Sequence, residues 1–366
     1  MSIKCRELIA KIEEVYPKRL AEDYDNVGLL VGDLNAEINK VLVCLEVDSN
    51  VVDEAIKMGA QLIVSHHPLI YTPLKNVNSD NYIASIVRKC IKSDIGLYAL
   101  HTNFDNANNG MNDILGDLIG IENIKPLSVD TYEKLYKLVV FVPISHSEKV
   151  REAILNAGAG YIGKYSHCSF NIEGTGTFMP LEGTSPFIGS QGELERVNEV
   201  RIETIVKEKD VSKVISNMLE AHPYEEVAYD IYPLVNRIEG GCGRVGTLKH
   251  AMSSQDFISY VKDRLKISSI EAAGDMEKII KKVAILGGDG NDFIETAINA
   301  GCDAFVTGDI KHHKAVSAIS SGLNIIDAGH YNTEILAVPF ISEFIKSLAS
   351  VECFVSKVNT NPFKKV

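Results

Sequence analysis

Histidine and carboxylate side chains occur together in three short segments of this chain. The segments carry His66 next to His67, His101 followed by Asp105, and His330 followed by Glu334. Imidazole and carboxylate ligands without thiolates suit zinc, iron, manganese, cobalt or nickel. The three segments therefore predict a site for divalent metal ions, with zinc as the first expectation.

The adjacent pair His66 and His67 indicates more than one ion. Neighbouring side chains on an extended backbone point to opposite sides, so one ion is not expected to bind both imidazoles. Two ions, one for each imidazole, satisfy this geometry. Asp105 and Glu334 are then candidates for bridging carboxylates, because two oxygens can bridge and the negative charge offsets the repulsion between dications. Two ions about 3.5–4 Å apart are typical of hydrolytic sites.

Three predicted strands end just before these segments, at 62–65, 97–100 and 324–326. Asp327 directly follows the third strand, and His330 comes three residues later. Ligands of open α/β sheets gather at the carboxyl ends of the strands. We therefore expect the three segments to converge on one edge of one sheet.

Each segment also has an ordinary explanation. A His-His pair can be a surface feature, and the segment that begins at His101 can be a turn rich in Asn and Asp. His330 and Glu334 can be a surface pair on one helix face, since they are four residues apart. The combination of all three favours metal binding.

The strands belong to an apparent internal repeat. Residues 41–67 align without a gap with residues 283–309, a shift of 242 residues from Val41 to Val283. Each copy predicts a strand, a helix and a second strand, and its Val, Ile and Leu runs favour parallel strands covered on both faces. A further match places Gly96 opposite Gly322, a shift of 226. We interpret the pattern as a duplication; the alternative is that unrelated βαβ units look alike.

Residues 128–246 follow a different pattern, with predicted elements in the order βαββαβ of a ferredoxin-like fold. An insertion is tolerated when its two ends lie close together, as they do in that fold. The predicted organisation is an α/β domain in two halves, interrupted by an α+β insertion. The first half is 1–127, the insertion 128–246 and the second half 247–366.

Composition excludes several classes of protein. The chain has 366 residues and a formal charge of −12, which disfavours non-specific nucleic-acid binding. Bound cations can reverse the local field, so nucleotide substrates stay possible. Seven scattered cysteines without a CxxC pair predict neither a disulfide framework nor a Cys-rich zinc site. No apolar run approaches the roughly 20 residues of a membrane span, and the N-terminus does not resemble a signal peptide. We expect a cytoplasmic protein without a membrane partner.

Five ordered motifs resemble those of the NIF3-like family, whose members are also called GTP cyclohydrolase 1 type 2 homologs. The motifs are DNVGL at 25–29, SHHP at 65–68, HTNFD at 101–105, TGDIKHH at 307–313 and DAGHYNTE at 327–334. They span both outer segments, and the middle segment looks like the PII/CutA-like insertion of the longer bacterial members. One departure is Glu46, where the family more often has Asp.

The resemblance implies a set of site residues and an assembly. Two divalent ions are implied, bound by His66, His67, Asp105, His330 and Glu334. His101 lies beside them as a catalytic residue, an outer partner or an occasional ligand. His312 and His313 are placed at the site entrance without a ligand role. Family members resemble toroidal hexamers, built as trimers of dimers, with the metal sites facing an internal cavity.

Two functions are compatible with this site. The first is a metal-dependent hydrolase of a nucleotide or a related small molecule, with His101 or a carboxylate managing the proton. GTP ring opening is the specific version that the family label implies. The alternative is a non-catalytic metal-binding scaffold or regulator with a sensor-like insertion. The sequence has no P-loop, GxGxxG or Ser-His-Asp motif that points elsewhere.

Overall fold

The computed structural model describes residues 2–78, 80–128, 131–163 and 165–364, apart from the side chains at 131–133 and 236–240. The chain forms two compact units. An outer unit combines residues 1–131 with 240–366, and a middle unit comprises residues 132–239. The predicted insertion, 128–246, begins four residues before this middle unit and ends seven residues after it. The difference at the later end arises because β12, which begins at Arg244, belongs to a sheet of the outer unit.

The first outer segment contains seven strands and five α-helices among its described residues. They are β1 (Ile3–Lys4), α1 (Cys5–Val15), β2 (Gly28–Val31), β3 (Glu37–Ile38), β4 (Lys40–Cys44), α2 (Ser49–Met58), β5 (Leu62–Ser65), α3 (Tyr82–Lys92), β6 (Gly96–Ala99), α4 (Thr102–Asp105), α5 (Met111–Ile119) and β7 (Ile121–Pro126). Local chemistry sets the limits of α2. The Asp48 carboxylate accepts a hydrogen bond from the Val51 amide at 2.8 Å, and Gly59 ends the helix with φ 68°.

The middle unit contains four strands and two α-helices among its described residues. They are β8 (Thr131–Pro143), α6 (Ser147–Asn156), β9 (Ser169–Phe178), β10 (Glu195–Lys207), α7 (Val211–Ala221) and β11 (Tyr229–Gly240). The strands form one sheet in the order β11-β8-β10-β9. Val140 and Ile202 of the sheet pack against Ile154 and Met218 of the helices. The predicted element order is present, and the ferredoxin-like assignment stays a prediction.

The second outer segment adds six strands and five α-helices among its described residues. They are β12 (Arg244–Ser253), α8 (Ser254–Leu265), β13 (Glu271–Ala273), β14 (Ile279–Asp289), α9 (Ile294–Asn299), β15 (Ala304–Gly308), α10 (His312–Ser320), β16 (Asn324–Asp327), α11 (His330–Glu334), α12 (Ala337–Leu348) and β17 (Glu352–Val355). None of the described helices combines the length and the apolar character needed to cross a membrane.

The outer unit has two main sheets, so the expected convergence on one edge of one sheet is wrong. The first copy of the repeat forms a five-stranded sheet in the order β17-β4-β5-β6-β2. The second forms a six-stranded sheet in the order β13-β16-β15-β14-β12-β7. Strands β17, β4, β5 and β6 are parallel in the first sheet, and β16, β15 and β14 are parallel in the second. The strands β2, β7, β12 and β13 pair antiparallel. Val64 of one sheet and Val306 of the other belong to one hydrophobic core.

Strand registers support one predicted match and correct the other. Val41 pairs with Leu62, and Val283 pairs with Ala304, which preserves the shift of 242. In the next strand Leu62 pairs with Gly96 and Ala304 with Asn324, so Gly96 corresponds to Asn324 and the shift is 228, not 226. An error of two residues keeps every side chain on the same face of a strand, so the apolar pattern does not reveal it.

A buried ion pair connects two parts of the outer unit. Arg244 is 1% exposed, and its guanidinium donates to both carboxylate oxygens of Asp113, at 2.6 and 2.8 Å. It also donates to the carbonyls of Ala107, Gly241 and Gly243 at 2.7–2.8 Å. The guanidinium thus connects Ala107 and Asp113, which follow α4, with the start of β12.

Replacing Arg244 by Met should destabilise the outer unit by about 3–5 kcal/mol, because it leaves the Asp113 carboxylate and three carbonyls without their donor. Urea unfolding followed by circular dichroism measures the change. Arg6→Met on the exposed side of α1 is the matched control and should shift the transition little. Equal unfolding midpoints for the two variants would contradict this role of Arg244.

Candidate metal centre

The two sheets of the outer unit deliver the predicted ligands to a common place. His66 and His67 follow β5, and His101 lies at the start of α4, which ends at Asp105. His330 and Glu334 are the first and last residues of α11, one helical turn apart. The structure thus brings together all five predicted ligands and His101.

Hydrogen bonds fix the rings of His66 and His101. His66 is fully buried, and its Nδ1 donates to the carbonyl of Leu100 at 2.9 Å. His101 Nδ1 lies 2.9 Å from both oxygens of Asp25, whose carboxylate also accepts hydrogen bonds from the Thr102 amide and hydroxyl. Burial would raise the pKa of Asp25, but the bonds from His101 and Thr102 lower it to about 2. With each Nδ1 occupied, Nε2 is available at the centre of the site.

His330 and His67 are oriented in the same way by carboxylates. His330 Nδ1 lies 2.8 Å from Asp309 Oδ2, and His67 Nδ1 lies 3.4 Å from Glu46 Oε1. Ring nitrogens that face a carboxylate are typical of metal-binding histidines, because the carboxylate sets the tautomer and increases the basicity of the other nitrogen.

Two imidazole nitrogens meet at one oxygen of Glu334. Its Oε2 lies 2.9 Å from His67 Nε2 and 3.0 Å from His330 Nε2, and the two nitrogens are 3.4 Å apart. Tetrahedral ligands at about 2.0–2.1 Å from a zinc ion would be about 3.3–3.4 Å apart. Among the described residues, His67, His330 and Glu334 form one potential metal-binding group; His66, His67 and His101 form a second.

The other oxygen of Glu334 faces His66. Its Oε1 lies 3.8 Å from His66 Nε2, which is itself 3.6 Å from Asp105 Oδ1. Despite these short distances, His66 Nε2, Asp105 Oδ1 and Glu334 Oε2 are buried and make no hydrogen bond of acceptable geometry among the described residues. Buried polar atoms without partners are rare and require an explanation. A cation coordinated by these atoms explains all three, so the cluster can bind a metal ion.

The charges of the cluster are interdependent. Burial would lower the pKa of His67, but Glu334 and Glu46 raise it to about 10. Burial likewise opposes protonation of His330, whose pKa is raised to about 9 by Glu334 and Asp309. Burial would raise the pKa of Glu334, but its contacts with the imidazoles hold it well below its usual range. The imidazoles therefore hold protons that a bound cation would replace.

The cluster opens into a cavity of about 1130 Å³ with a strongly acidic lining. Lys266 is its single lysine or arginine within the part of the chain that the structure describes. The lining carboxylates are Glu22, Glu46, Asp105, Glu271, Asp289, Asp292, Asp309, Asp327 and Glu334. Such a cavity favours cations, and bound cations would in turn make it receptive to anionic groups.

Some residues named from the sequence lie away from the cluster. His312 and His313 are exposed at the start of α10 and do not line the cavity. Asp327 lines the cavity but accepts hydrogen bonds from the backbone amides of Ile310 and Gly329, at 2.8 and 2.9 Å. Asp327 therefore orders the loops beside the site.

Asp25 and Asp309 contact the site histidines without a role that the sequence predicts. Asp25 lies in the DNVGL motif, far from His101 along the chain, and no spacing rule connects them. Asp309 follows β15 directly, at the position that corresponds to His67 in the repeat. Its position directly after a buried strand is the sequence signal that could have predicted a role in the site.

A close approach of the backbone makes room for Glu334. Gly288 at the end of β14 has φ +73°, and a Cβ atom there would overlap Glu334 Oε1. The Gly288 amide donates to Thr333 Oγ1 at 3.0 Å, which holds α11 against the strand. A glycine at this position therefore permits the carboxylate to face His66.

A family model and two named proteins match this chain over nearly its whole length. Residues 3–362 match the family model Duf34/NIF3 (NGG1p interacting factor 3). A protein of Halalkalibacterium halodurans is 46% identical over 362 residues, 97% of each chain. A protein of Bacillus subtilis is 44% identical over 368 residues, 99% of this chain and 98% of the relative. Both relatives are named GTP cyclohydrolase 1 type 2 homolog.

The architecture is also similar to that of a solved structure. A crystal structure described as a Bacillus cereus protein related to NIF3 superposes with a TM-score of 0.92 at 44% identity. The match covers 100% of this chain and 99% of that one.

Replacing Gly288 by Ala should reduce bound metal without removing a ligand, because the new methyl group displaces the Glu334 carboxylate. Metal content per chain after reconstitution and dialysis is the measurement. Gly301→Ala is a matched control: its φ is +69°, but nothing lies within 4 Å of the added Cβ. Full metal content in Gly288→Ala, equal to that of Gly301→Ala, would show that the position of Glu334 does not limit binding.

Proposed function

This chain belongs to the Duf34/NIF3 family, and we propose that it is a metal-dependent hydrolase of a nucleotide or a related small molecule. The observation that carries the proposal is the position of Glu334. One of its oxygens faces His66, and the other faces His67 and His330. A single buried carboxylate with imidazoles on both sides is suited to bridging two divalent ions, and zinc is the first candidate.

The proposed ligands divide into two groups around Glu334. His66 and Asp105 would hold one ion, and His67 and His330 would hold the other. When bound, divalent ions act as Lewis acids that activate water and stabilise negative charge developing on the substrate. The protein supplies the fixed directions of the ligands, since the Nδ1 atoms of His66 and His330 are already held by Leu100 and Asp309.

His101 is the proposed catalytic residue, as a proton acceptor beside the ligands. Asp25 fixes its Nδ1 and stabilises the imidazolium that forms when Nε2 takes a proton. The same pairing of a carboxylate with an imidazole orients the general base in other hydrolases. Asp25 is therefore proposed as a positioning residue, because it acts through His101.

The substrate class follows from the cavity and the relatives. The acidic cavity would need its cations in place before an anionic phosphate could enter. Relatives at 44–46% identity carry the name GTP cyclohydrolase 1 type 2 homolog. GTP is therefore the first substrate to test, followed by other nucleotides.

The finer architecture is proposed on three grounds. The shared register of β4 with β5 and of β14 with β15 supports a duplicated outer domain. The middle unit has the sheet order β11-β8-β10-β9, and both of its helices pack against one set of strand residues. These two features support a ferredoxin-like insertion of the PII/CutA-like type. A toroidal hexamer rests on the family resemblance, and light scattering would test it.

A second function is favoured by a separate observation. The middle unit has its own hydrophobic core and its own cavity. This independence supports the alternative of a metal-binding scaffold or regulator without catalysis, in which the insertion acts as a sensor. The two functions differ in what happens to turnover when the metal site is altered.

The variants of the proposed ligands should form two groups, which differ in the number of metal ions lost per chain. His66→Ala, His67→Ala and Asp105→Ala should each remove mainly one ion, whereas Glu334→Gln should reduce both, because a terminal ligand serves one ion and a bridge serves two. Elemental analysis of each purified variant gives the number of ions per chain. Two ions retained in all four variants would refute the assignment.

Catalysis is tested by a hydrolase screen on metal-reconstituted protein, beginning with GTP. Glu334→Gln should reduce turnover by orders of magnitude, and Asp25→Asn should lower kcat while metal content stays unchanged. Glu343→Gln on the exposed side of α12 is the control and should match the wild type. Full turnover in metal-free Glu334→Gln would exclude a catalytic site here. Absence of turnover on every substrate, with assembly intact, would favour the scaffold.

A further inference from the structure

The middle unit contains a cavity of about 400 Å³ that the proposed hydrolase does not use. Its lining comes from Phe141 of β8, from β9 and β10, from the segment 180–188 that follows β9, and from residues 224–228. The volume is within the range of small-molecule sites. Four aromatic side chains and three glutamates line it, together with two threonines and smaller apolar residues.

One carboxylate is buried in the lining of this cavity. Glu199 is 8% exposed, and its Oε1 accepts a hydrogen bond from the Tyr224 hydroxyl at 3.1 Å. Gly176 on β9 makes room for the carboxylate, since a Cβ atom there would overlap Oε2. Among the residues described, no cationic side chain forms an ion pair with Glu199. The nearby Arg201 pairs instead with Glu203 at 2.8 Å.

Aromatic rings surround Tyr224 at contact distances. The ring centroid of Phe178 is 5.7 Å from that of Tyr224, and the centroid of Phe187 is 6.3 Å away. His222 fixes the adjoining backbone, because its Nδ1 accepts the Tyr224 amide while Nε2 donates to the Phe141 carbonyl. Both His222 nitrogens are thus occupied. The rings form a wall whose faces attract cations.

The chemistry of the lining excludes other classes of ligand. No Lys, Arg or His lines the cavity within the described chain, so an anion has no partner. Three carboxylates line the cavity, but Glu225 and Glu226 are exposed, so the buried part of the lining offers far fewer than the six to eight oxygens of a calcium site. A neutral apolar ligand would leave the Glu199 charge desolvated and uncompensated. An organic cation with N–H donors satisfies both the carboxylate and the rings.

We propose that this cavity binds an aliphatic primary ammonium group, with the ammonium hydrogen-bonded to the Glu199 carboxylate and its carbon chain packed against Phe178, Phe187 and Tyr224. Glu225 and Glu226 line the same cavity and add negative charge. The Glu225 carboxylate accepts from the Ser185 amide at 3.1 Å, which holds the segment after β9 in place.

A free amine and a lysine side chain of a peptide offer the same ammonium chemistry. Isothermal titration calorimetry of the full-length protein should therefore use n-butylammonium and N-acetyl-lysine amide as two arms. Saturable binding of n-butylammonium alone indicates a free amine. Binding of both indicates a site that also accepts a lysine side chain. n-Butanol and butyrate are the neutral and anionic comparisons, and neither should bind.

Two variants test the role of the carboxylate. Glu199→Gln should weaken n-butylammonium binding by about tenfold or more, because it removes a charge-assisted hydrogen bond. Gly176→Ala should weaken it as well by displacing the carboxylate without changing the charge. Glu173→Gln, on the exposed surface of β9, is the control and should leave binding unchanged.

Circular dichroism should show that each variant is folded before its binding is compared. The proposal is overturned if n-butylammonium does not bind at millimolar concentration, or if n-butanol binds equally well. It is also overturned if both Glu199→Gln and Gly176→Ala bind like the wild type. None of these outcomes involves the metal cluster, so they are independent of the proposed hydrolase.

Discussion

The candidate metal centre depends on the burial of the Glu334 carboxylate among imidazoles. A buried carboxylate requires compensating charge, since desolvation without a partner costs several kcal/mol. Here the compensation comes from His66 on one side and from His67 and His330 on the other. Protons provide it when no cation is bound, and metal ions can provide it instead. The fixed Nδ1 atoms make this exchange possible, because each ring keeps its direction whichever cation is present.

This arrangement needs two sheets rather than one. His66 and His67 come from the five-stranded sheet, whereas Glu334 and His330 follow the six-stranded sheet. Ligands that lie more than 250 residues apart in sequence keep their places only if the sheets are rigidly packed. The shared core supplies most of that rigidity. Arg244 adds a directional constraint next to α4, which carries Asp105.

The sequence was sufficient to predict what depends on strand ends and helix turns. The segments that follow buried strands come together as the strand ends predict, and the common face of His330 and Glu334 required only the helical repeat; their role as metal ligands stays a prediction. The number of sheets was wrong, because apolar strand patterns do not specify which strands pair. Asp25 lacked an assigned role, because its contact with His101 joins a loop to a distant strand end. Such contacts depend on tertiary packing, which local periodicity does not encode.

Two buried carboxylates of this chain, Glu334 and Glu199, lie in different surroundings. Glu334 is among imidazoles whose nitrogen lone pairs can bind a metal ion, so it is suited to an inorganic cation. Glu199 is beside a tyrosine hydroxyl and aromatic rings, which offer no further strong ligand atoms. The charge is the same, but the neighbouring atoms select the partner: coordination favours a small dication, and aromatic faces favour a larger, partly apolar cation. Ligand class is therefore inferred from the surroundings of each carboxylate rather than from its presence.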